Sequence, residues 1–335
     1  MARRFIEDLK PGERVEDQVF LIASKDLRTT SQGSLYIHAI LTDRTGQVPA
    51  RIWQASQAMY DTMPEGGFLH VKGRAESYKG SMQFIIDAMR PVDDPDALDL
   101  SDFLPRTGGD IEAMWGRVRE ILGGIKNPYV TAIIQQFLAD EELVRRFKTA
   151  PAASQLHHAY VGGLLEHTLA VLELGLVVIP RYPKVSLDLV LAGIFLHDLA
   201  KTAELKYDTN FGYTDTGQLV GHVALGAVWI EFKAAAAGKA LGKPFPTLIK
   251  TALQHLVLAH HGRLEFGAAR IPATPEAIAI HHLDNLDAKV HQMLAAIERD
   301  GDPKSHWTQY NRALETKVFK LDPLSEPSDV RPRLR

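Results

Sequence analysis

The chain has 335 residues, no cysteine, and 38 lysine and arginine residues against 41 aspartate and glutamate, a net charge of −3. That length allows about two domains of ordinary size, and 45% hydrophobic with 24% charged residues excludes a wholly disordered chain. The missing cysteine excludes a disulfide scaffold, a thiolate zinc site and a cysteine nucleophile, and it fits a reducing, cytoplasmic setting.

Residues 15–92 read as β-structure. Val15–Ser24 is the first candidate strand. In Ser34–Asp43, Leu35, Ile37, Ala39 and Leu41 alternate with Tyr36, His38 and Ile40. Asp43-Arg-Thr-Gly46 is a turn signal, and Gln47–Trp53 carries Val48, Ala50 and Ile52 on one face. Gly66–Ala75 and Ser81–Met89 complete five runs, and Gln54–Thr62 suits a short helix. Five strands with a helix between the third and fourth is the order of an OB-fold; a five-strand meander is the alternative.

The Pro/Asp stretch 91–96 starts a linker. Residues 110–320 read as helical, with Asp110 as a cap and Gly123-Gly124 as a stop. Longer helices are expected near 158–179, 187–204, 217–238, 245–261, 275–300 and 303–319. The fold class is therefore an N-terminal all-β OB-fold barrel followed by an all-α bundle. The divisions fall at 1–95 for the barrel, 96–148 for linker and preceding helices, 149–320 for the helical core and 321–335 for a frayed tail. Helices 110–148 either pack on that core or offer an interface between copies. No apolar run reaches the roughly 18 residues of a membrane span, and the N-terminus lacks a signal-peptide core, so no membrane is expected as a partner.

Of 14 histidines, 12 lie after residue 150. The strongest signal among them is Leu196-His197-Asp198-Leu199-Ala200-Lys201, at the end of an apolar helix. Adjacent side chains sit about 100° apart around a helix, so both can reach one cleft wall, and Lys201 follows one turn on. A metal dyad with a nearby cation suits a phosphate substrate: the metal activates water and the lysine offsets phosphoryl charge. Such a pair alone is more often a surface or capping pair. The company changes that: His167 lies on the preceding helix, His222 opens a later one, His260-His261 ends another, and Asp284 and Asp287 follow. Imidazole and carboxylate together suit Mn, Fe, Co, Ni or Zn. His255, His281, His282, His291 and His306 read as packing or surface residues, whereas His157-His158 is either a cap or a phosphate contact.

This order of residues resembles the HD-domain metal phosphohydrolases, and the additional histidines resemble their binuclear subgroup. The resemblance implies one metal held by His167, His197, Asp198 and Asp284. A second would be held by His222, His260 and His261, with Asp198 bridging. Asp287 is left as a surface carboxylate or a partner that orients a ligand. Gly163 stands where a third-metal glutamate would be, which argues for two ions. The Gly-Tyr-Pro signature of the cyclic-dinucleotide branch is missing.

The run from Ala150 to Thr168, the run Leu258-Ala-His-His-Gly262-Arg-Leu-Glu-Phe-Gly267 and the run from Leu283 to Lys289 are together similar to the YhaM-type 3′→5′ exoribonucleases. That family joins an OB-fold to an HD domain. The resemblance covers residues 15–320 and implies manganese- or cobalt-dependent removal of nucleotides from a single-stranded 3′ end, on RNA or also on single-stranded DNA. Asp198 and Lys201, with Arg263, would serve the reacting phosphate, and His158 or water would protonate the leaving oxygen. On the barrel, Tyr36, His38, Arg51 and Trp53 share the face opposite the apolar one, with Lys72 and Arg74 extending it, where an OB-fold stacks bases and pairs phosphates. Through residue 94 there are 12 basic and 13 acidic residues, so any attraction must be local. Two alternatives stand: a small-nucleotide phosphohydrolase, and a nucleic-acid-binding regulator whose HD domain is only structural.

Overall fold

A computed structural model describes residues 3–30, 32–78, 81–98, 102–104, 106–153, 160–206, 212–300 and 305–324. The chain divides into two units, one formed by residues up to Arg106 and a second that starts at Thr107.

The first unit is a closed five-strand barrel. Its strands are β1 (Arg14–Thr29), β2 (Leu35–Asp43), β3 (Gly46–Trp53), β4 (Phe68–Tyr78) and β5 (Ser81–Pro91), with helix α1 (Gln57–Thr62) between β3 and β4. The strand order β1-β2-β3-β5-β4, with β4 returning to β1 and β3 parallel to β5, is the OB-fold arrangement. Strand β1 is long enough to serve both edges, pairing through Leu21 with β4 and from Leu21 onward with β2. Register shifts at Val15/Gln18 and Ile22/Ser24 bend it around the barrel. The alternating residues Ile37, Ala39 and Leu41 of β2 and Val48, Ala50 and Ile52 of β3 point inward with Phe20, Ile22, Val71 and Phe84. Gly73 lies where β4 crosses closest to β5; a Cβ there would collide with the Ile85 carbonyl. Asp43 is fully buried and pins the N-terminus to the β2–β3 turn, accepting the Ile6 N–H (2.6 Å), the Thr45 N–H (2.8 Å) and the Thr45 hydroxyl (2.6 Å). The unit continues past the strands, with Phe103 buried against Phe68 at 4.7 Å between ring centroids.

The second unit is helical. It comprises α2 (Ile111–Gly123), α3 (Pro128–Leu138), α4 (Glu141–Thr149), α5 (Gly163–Val178), α6 (Leu187–His197) and α7 (Lys201–Glu204). A two-residue strand pair, β6 (Leu205–Lys206) and β7 (Gly212–Tyr213), precedes α8 (Asp215–Leu219), α9 (Gly221–Ala240), α10 (Thr247–Ala259) and α11 (Pro275–Arg299). Helix α6 is apolar all round, which is the pattern of a helix enclosed on every side. Eight of its eleven residues are buried, Val190 to His197. At Gly193 a Cβ would strike Ile280 and Leu256, so glycine is what lets α6 approach α10 and α11. By length and composition Gly163–Arg181 could cross a membrane, but α5 packs among α2, α4, α6 and α11 as a core helix.

A helix is expected at 303–319, and none is found among its described residues, 305–319. Residues 305–324 instead form antiparallel bridges, Trp307 with Phe319 and Asn311 with Thr316, around a turn capped by the Asn311 side chain. Trp307, Thr308, Thr316, Val318 and Phe319 favour extended backbone, and the helix-like Ala313-Leu-Glu-Thr316 run is spent on the turn. The segment is locked to the end of α11 by a buried pair, Lys320 Nζ to Asp300 Oδ1 at 2.7 Å.

Candidate metal centre and nucleic-acid face

Four helices and two helix ends bring the histidines and aspartates together. His167 lies in the first turns of α5, and His197 is the last residue of α6. Asp198 follows in the sparsely allowed bridge region (φ −110°, ψ 0°). His222 opens α9, His260 and His261 follow α10, and Asp284 lies on α11. One ligand atom each from His167, His197 and Asp284 lies within 4.8 Å of the other two, and the same holds for His222, His260 and His261. Asp198 stands between these triads. Its Oδ2 is 3.4 Å from His197 Nε2 and 3.9 Å from His167 Nε2, and its Oδ1 is 3.3 Å from His222 Nε2 and 3.6 Å from His260 Nε2.

Each ring is aimed by what holds its far nitrogen. His197 Nδ1 donates to the Ile194 carbonyl (2.6 Å) and His260 Nδ1 to the Val257 carbonyl (2.7 Å). A carbonyl only accepts, so each Nδ1 carries a proton and each Nε2 is turned toward the cluster. Both rings thereby also satisfy carbonyls left over at helix ends. Carboxylates lie against two others: Asp287 Oδ2 is hydrogen-bonded to His167 Nδ1 at 2.6 Å, and Glu204 Oε2 lies at ion-pair distance, 2.8 Å, from His222 Nδ1. Glu204 also accepts the His222 backbone N–H (3.0 Å), so one carboxylate fixes both the ring and the start of α9.

A divalent cation fits this arrangement. Among the described residues, His197 Nε2, Asp198 Oδ1, both ring nitrogens of His222, His260 Nε2 and His261 Nδ1 are buried without a hydrogen-bond partner. Each buried orphan costs about 1–3 kcal/mol, and a cation would remove several such costs at once. The nitrogen and oxygen donor set suits first-row divalent ions.

The two triads balance burial against neighbouring charge in different ways. Burial works against a charged His167, but Asp284 and Asp287 outweigh it and push the ring up to about 10. In the all-imidazole triad burial prevails: it pulls His222 and His260 down and, with His260 alongside, His261 down to about 4. Burial alone would raise Asp198, but the Lys201 ammonium (2.7 Å from Oδ2) and the neighbouring imidazoles hold it well below the usual carboxylate range. Asp198 in turn keeps Lys201 charged despite its burial.

The other expected residues fall as follows. Lys201 is paired to Asp198 at the centre. Arg263 is on the loop after His261, with a side chain 68% exposed and 3.5 Å from Glu265. His158 lies outside the described residues. Asp287 is buried and hydrogen-bonded to His167, so it is no surface carboxylate. Two histidines read as bland touch the site's supports: His281 Nδ1 donates to the His260 carbonyl (2.9 Å), and His291 Nδ1 lies 3.3 Å from Asp287 Oδ1. Glu204 was missed, and nothing in its sequence context separates it from a surface glutamate.

On the barrel, Tyr36 and Trp53 are cross-strand partners with ring centroids 5.3 Å apart, and His38 pairs with Arg51. The Arg51 guanidinium lies 5.4 Å from the Trp53 ring and 5.5 Å from that of Tyr78, at distances that suit cation–π contact. Trp53 is 44% exposed. Burial, then Arg28 and Arg51, lower the His38 pKa. Lys72 and Arg74 are engaged by acids: Lys72 with Glu16 at 2.7 Å, Arg74 with Glu76 at 2.9 Å and Asp87 at 2.7 Å.

An OB-type barrel with a helical bundle that converges His, His-Asp and Asp ligands on one buried centre defines an HD-domain phosphohydrolase. The HD domain family model matches residues 164–289. The 3′-5′ exoribonuclease YhaM of Geobacillus sp. (strain WCH70) is 32% identical over 308 residues, 92% of this chain and 92% of its own. That of Bacillus subtilis (strain 168) is also 32% identical, over 92% of this chain and 95% of its own. Among solved structures, the second OB-fold domain of replication protein A from Methanococcus maripaludis matches 29% of this chain and all of its own, at 14% identity and a TM-score of 0.23. The chain belongs to the YhaM 3′-5′ exoribonuclease family.

Proposed function

We propose that the chain is a metal-dependent 3′→5′ exoribonuclease that removes nucleotides from the end of single-stranded RNA. The observation that carries this reading is the pair of triads joined through Asp198, with six buried donor or acceptor atoms there unpartnered among the described residues. His167, His197, Asp198 and Asp284 would hold one ion and His222, His260 and His261 the second, with Asp198 shared; manganese is the proposed metal. When bound, such ions lower the pKa of water and polarise phosphoryl oxygens.

The chain's own residues do the rest. Asp287, Glu204 and the carbonyls of Ile194 and Val257 hold the ligand rings before substrate arrives. Lys201 remains protonated beside Asp198, where it offsets negative charge developing on the scissile phosphate. In the hydrolysis, water adds to phosphorus and the bond to the penultimate 3′ oxygen breaks. That oxygen takes a proton, and a nucleoside 5′-monophosphate leaves. Tyr36, Trp53 and Arg51 on the barrel present a stacking surface with a cation beside it, suited to a single strand of any sequence.

The test is a short RNA labelled at its 5′ end, with protein stripped of metal and resupplied with manganese. A ladder that shortens from the 3′ end and vanishes with chelator is expected. Intact RNA together with rapid hydrolysis of free nucleotides would overturn the reading.

A further inference from the structure

Directly after His260 and His261, residues 262–274 form a loop that keeps three large apolar side chains in solvent. Leu264 is 59% exposed, and Phe266 and Ile271 are each 63% exposed. The loop is held at both ends by its backbone. Gly262 (φ +79°) turns the chain, and a Cβ there would collide with the His281 ring that supports His260. The Arg263 N–H donates to the His261 carbonyl (3.0 Å). The Phe266 and Ala268 N–H groups both donate to the Arg263 carbonyl (3.1 Å each). Ala269 and Arg270 donate to the Leu258 carbonyl on α10 (2.9 and 3.1 Å).

Gly267 (φ +91°) closes the short 3-10 turn Leu264–Phe266 and lies against the metal centre. A Cβ at that position would come within 3.2 Å of His261 Nδ1. Phe266 is therefore anchored one residue away from a ligand ring, while its own ring stays in water. The Arg263 guanidinium sits 5.9 Å from that ring. An aromatic ring on a firmly hydrogen-bonded loop, with a cation beside it, is what stacking on a base and pairing with a phosphate require.

We propose that Phe266, flanked by Arg263, is the platform on which the base of the 3′-terminal nucleotide stacks while its phosphate lies at the metal centre. This rests on the exonuclease reading above. It moves Arg263 from the scissile phosphate to the rim, in keeping with its exposure. Every base offers a π-face, so the platform accepts all four and favours purines modestly.

The experiment compares two tetraribonucleotides, one ordinary and one whose 3′-terminal nucleotide lacks its base, on the manganese-loaded full chain. For the wild type, KM should rise roughly tenfold on the abasic oligomer. Phe266→Ala should raise KM on the ordinary oligomer by a similar factor, with kcat within about twofold, and should not distinguish the two substrates. Phe266→Trp should restore the discrimination. Equal wild-type KM values on the two oligomers would overturn the proposal without any variant. So would a Phe266→Ala loss of the same size on both. If the wild type shortens neither oligomer, the exonuclease reading fails, and the Kd values of the two oligomers test the platform alone: tighter binding of the base-bearing one supports it, equal binding overturns it.

Discussion

The metal centre and the barrel face handle polar groups in opposite ways. At the centre the groups are buried and left short of partners: among the described residues six polar atoms have no hydrogen-bond partner, while the far nitrogens of His167, His197 and His260 are hydrogen-bonded and Glu204 lies 2.8 Å from that of His222. On the barrel the rings and cations are exposed and already lean on one another, Tyr36 on Trp53 and Arg51 on Trp53, with Lys72 and Arg74 held by acids. A preorganised buried centre gains most when charge develops in the transition state. An exposed, partly neutralised face gains only from contact with the strand. Substitutions at the centre should therefore fall on metal binding and kcat, and substitutions on the barrel face on KM.

The sharpest way to break that contrast is Asp198→Asn, which removes charge shared by both triads. Turnover should fall roughly 10³-fold or more, with the helical circular dichroism retained and bound manganese per chain reduced. Turnover near the wild type would remove the centre from the mechanism. A smaller effect is expected from Glu204→Gln, which leaves every ligand in place and weakens the grip on His222 Nδ1. Isothermal titration should show one manganese site weakened by about 10- to 100-fold and the other unchanged. Asp287→Asn should weaken the opposite site by a similar factor through His167. If both variants weaken both sites alike, the triads do not act as two sites.

The centre was more legible in the sequence than its supports. His197-Asp198 at the end of an apolar helix, with His167, His222, His260-His261 and Asp284 on successive helices, is a chemically restricted set. Glu204 escapes such reading, and Asp287 is left between two readings, because an acidic residue on a helix is ordinarily a solvated one; only the packing of α7 against α9 and of α11 against α5 turns them inward. The strands were readable because alternation is local. The cross-strand partners Glu16 of Lys72 and Asp87 of Arg74 were not, because they lie on neighbouring strands and meet them only through barrel register. The segment 303–319 was misread as helix because Ala313-Leu-Glu-Thr316 carries helix formers, whereas its flanking aromatic and β-branched residues decide the outcome.

On the barrel, Trp53→Ala should raise KM for a ten-nucleotide RNA by roughly tenfold, the scale of one lost base stack, and leave kcat within about twofold. A fall in kcat with unchanged KM would place Trp53 in catalysis and erase the contrast. Lys72→Ala should change Kd by less than about twofold, because Glu16 already neutralises the ammonium. A slope of log Kd against log salt lowered by about a full phosphate contact would instead show that RNA displaces Glu16.

A pH-dependent effect concerns His38, which sits among Asp26 and Arg28 of β1 and Arg51 of β3. Burial first, and then the two guanidinium groups, lower its pKa from the ordinary 6.5, so the ring is neutral at pH 7. A group depressed in this way is protonated more readily in the unfolded chain. Its contribution to stability is thus fully present above pH 6.5 and declines as pH falls through the lowered folded value. RNA phosphates on the same face stabilise the imidazolium, so strand binding should tighten as pH falls from 7 to 5, by less than about tenfold. Fluorescence anisotropy against pH measures it, and His38→Gln should flatten the profile while leaving affinity at pH 8 nearly unchanged. The same pH slope in His38→Gln would assign the titration to another group and leave His38 a spectator beside Arg51.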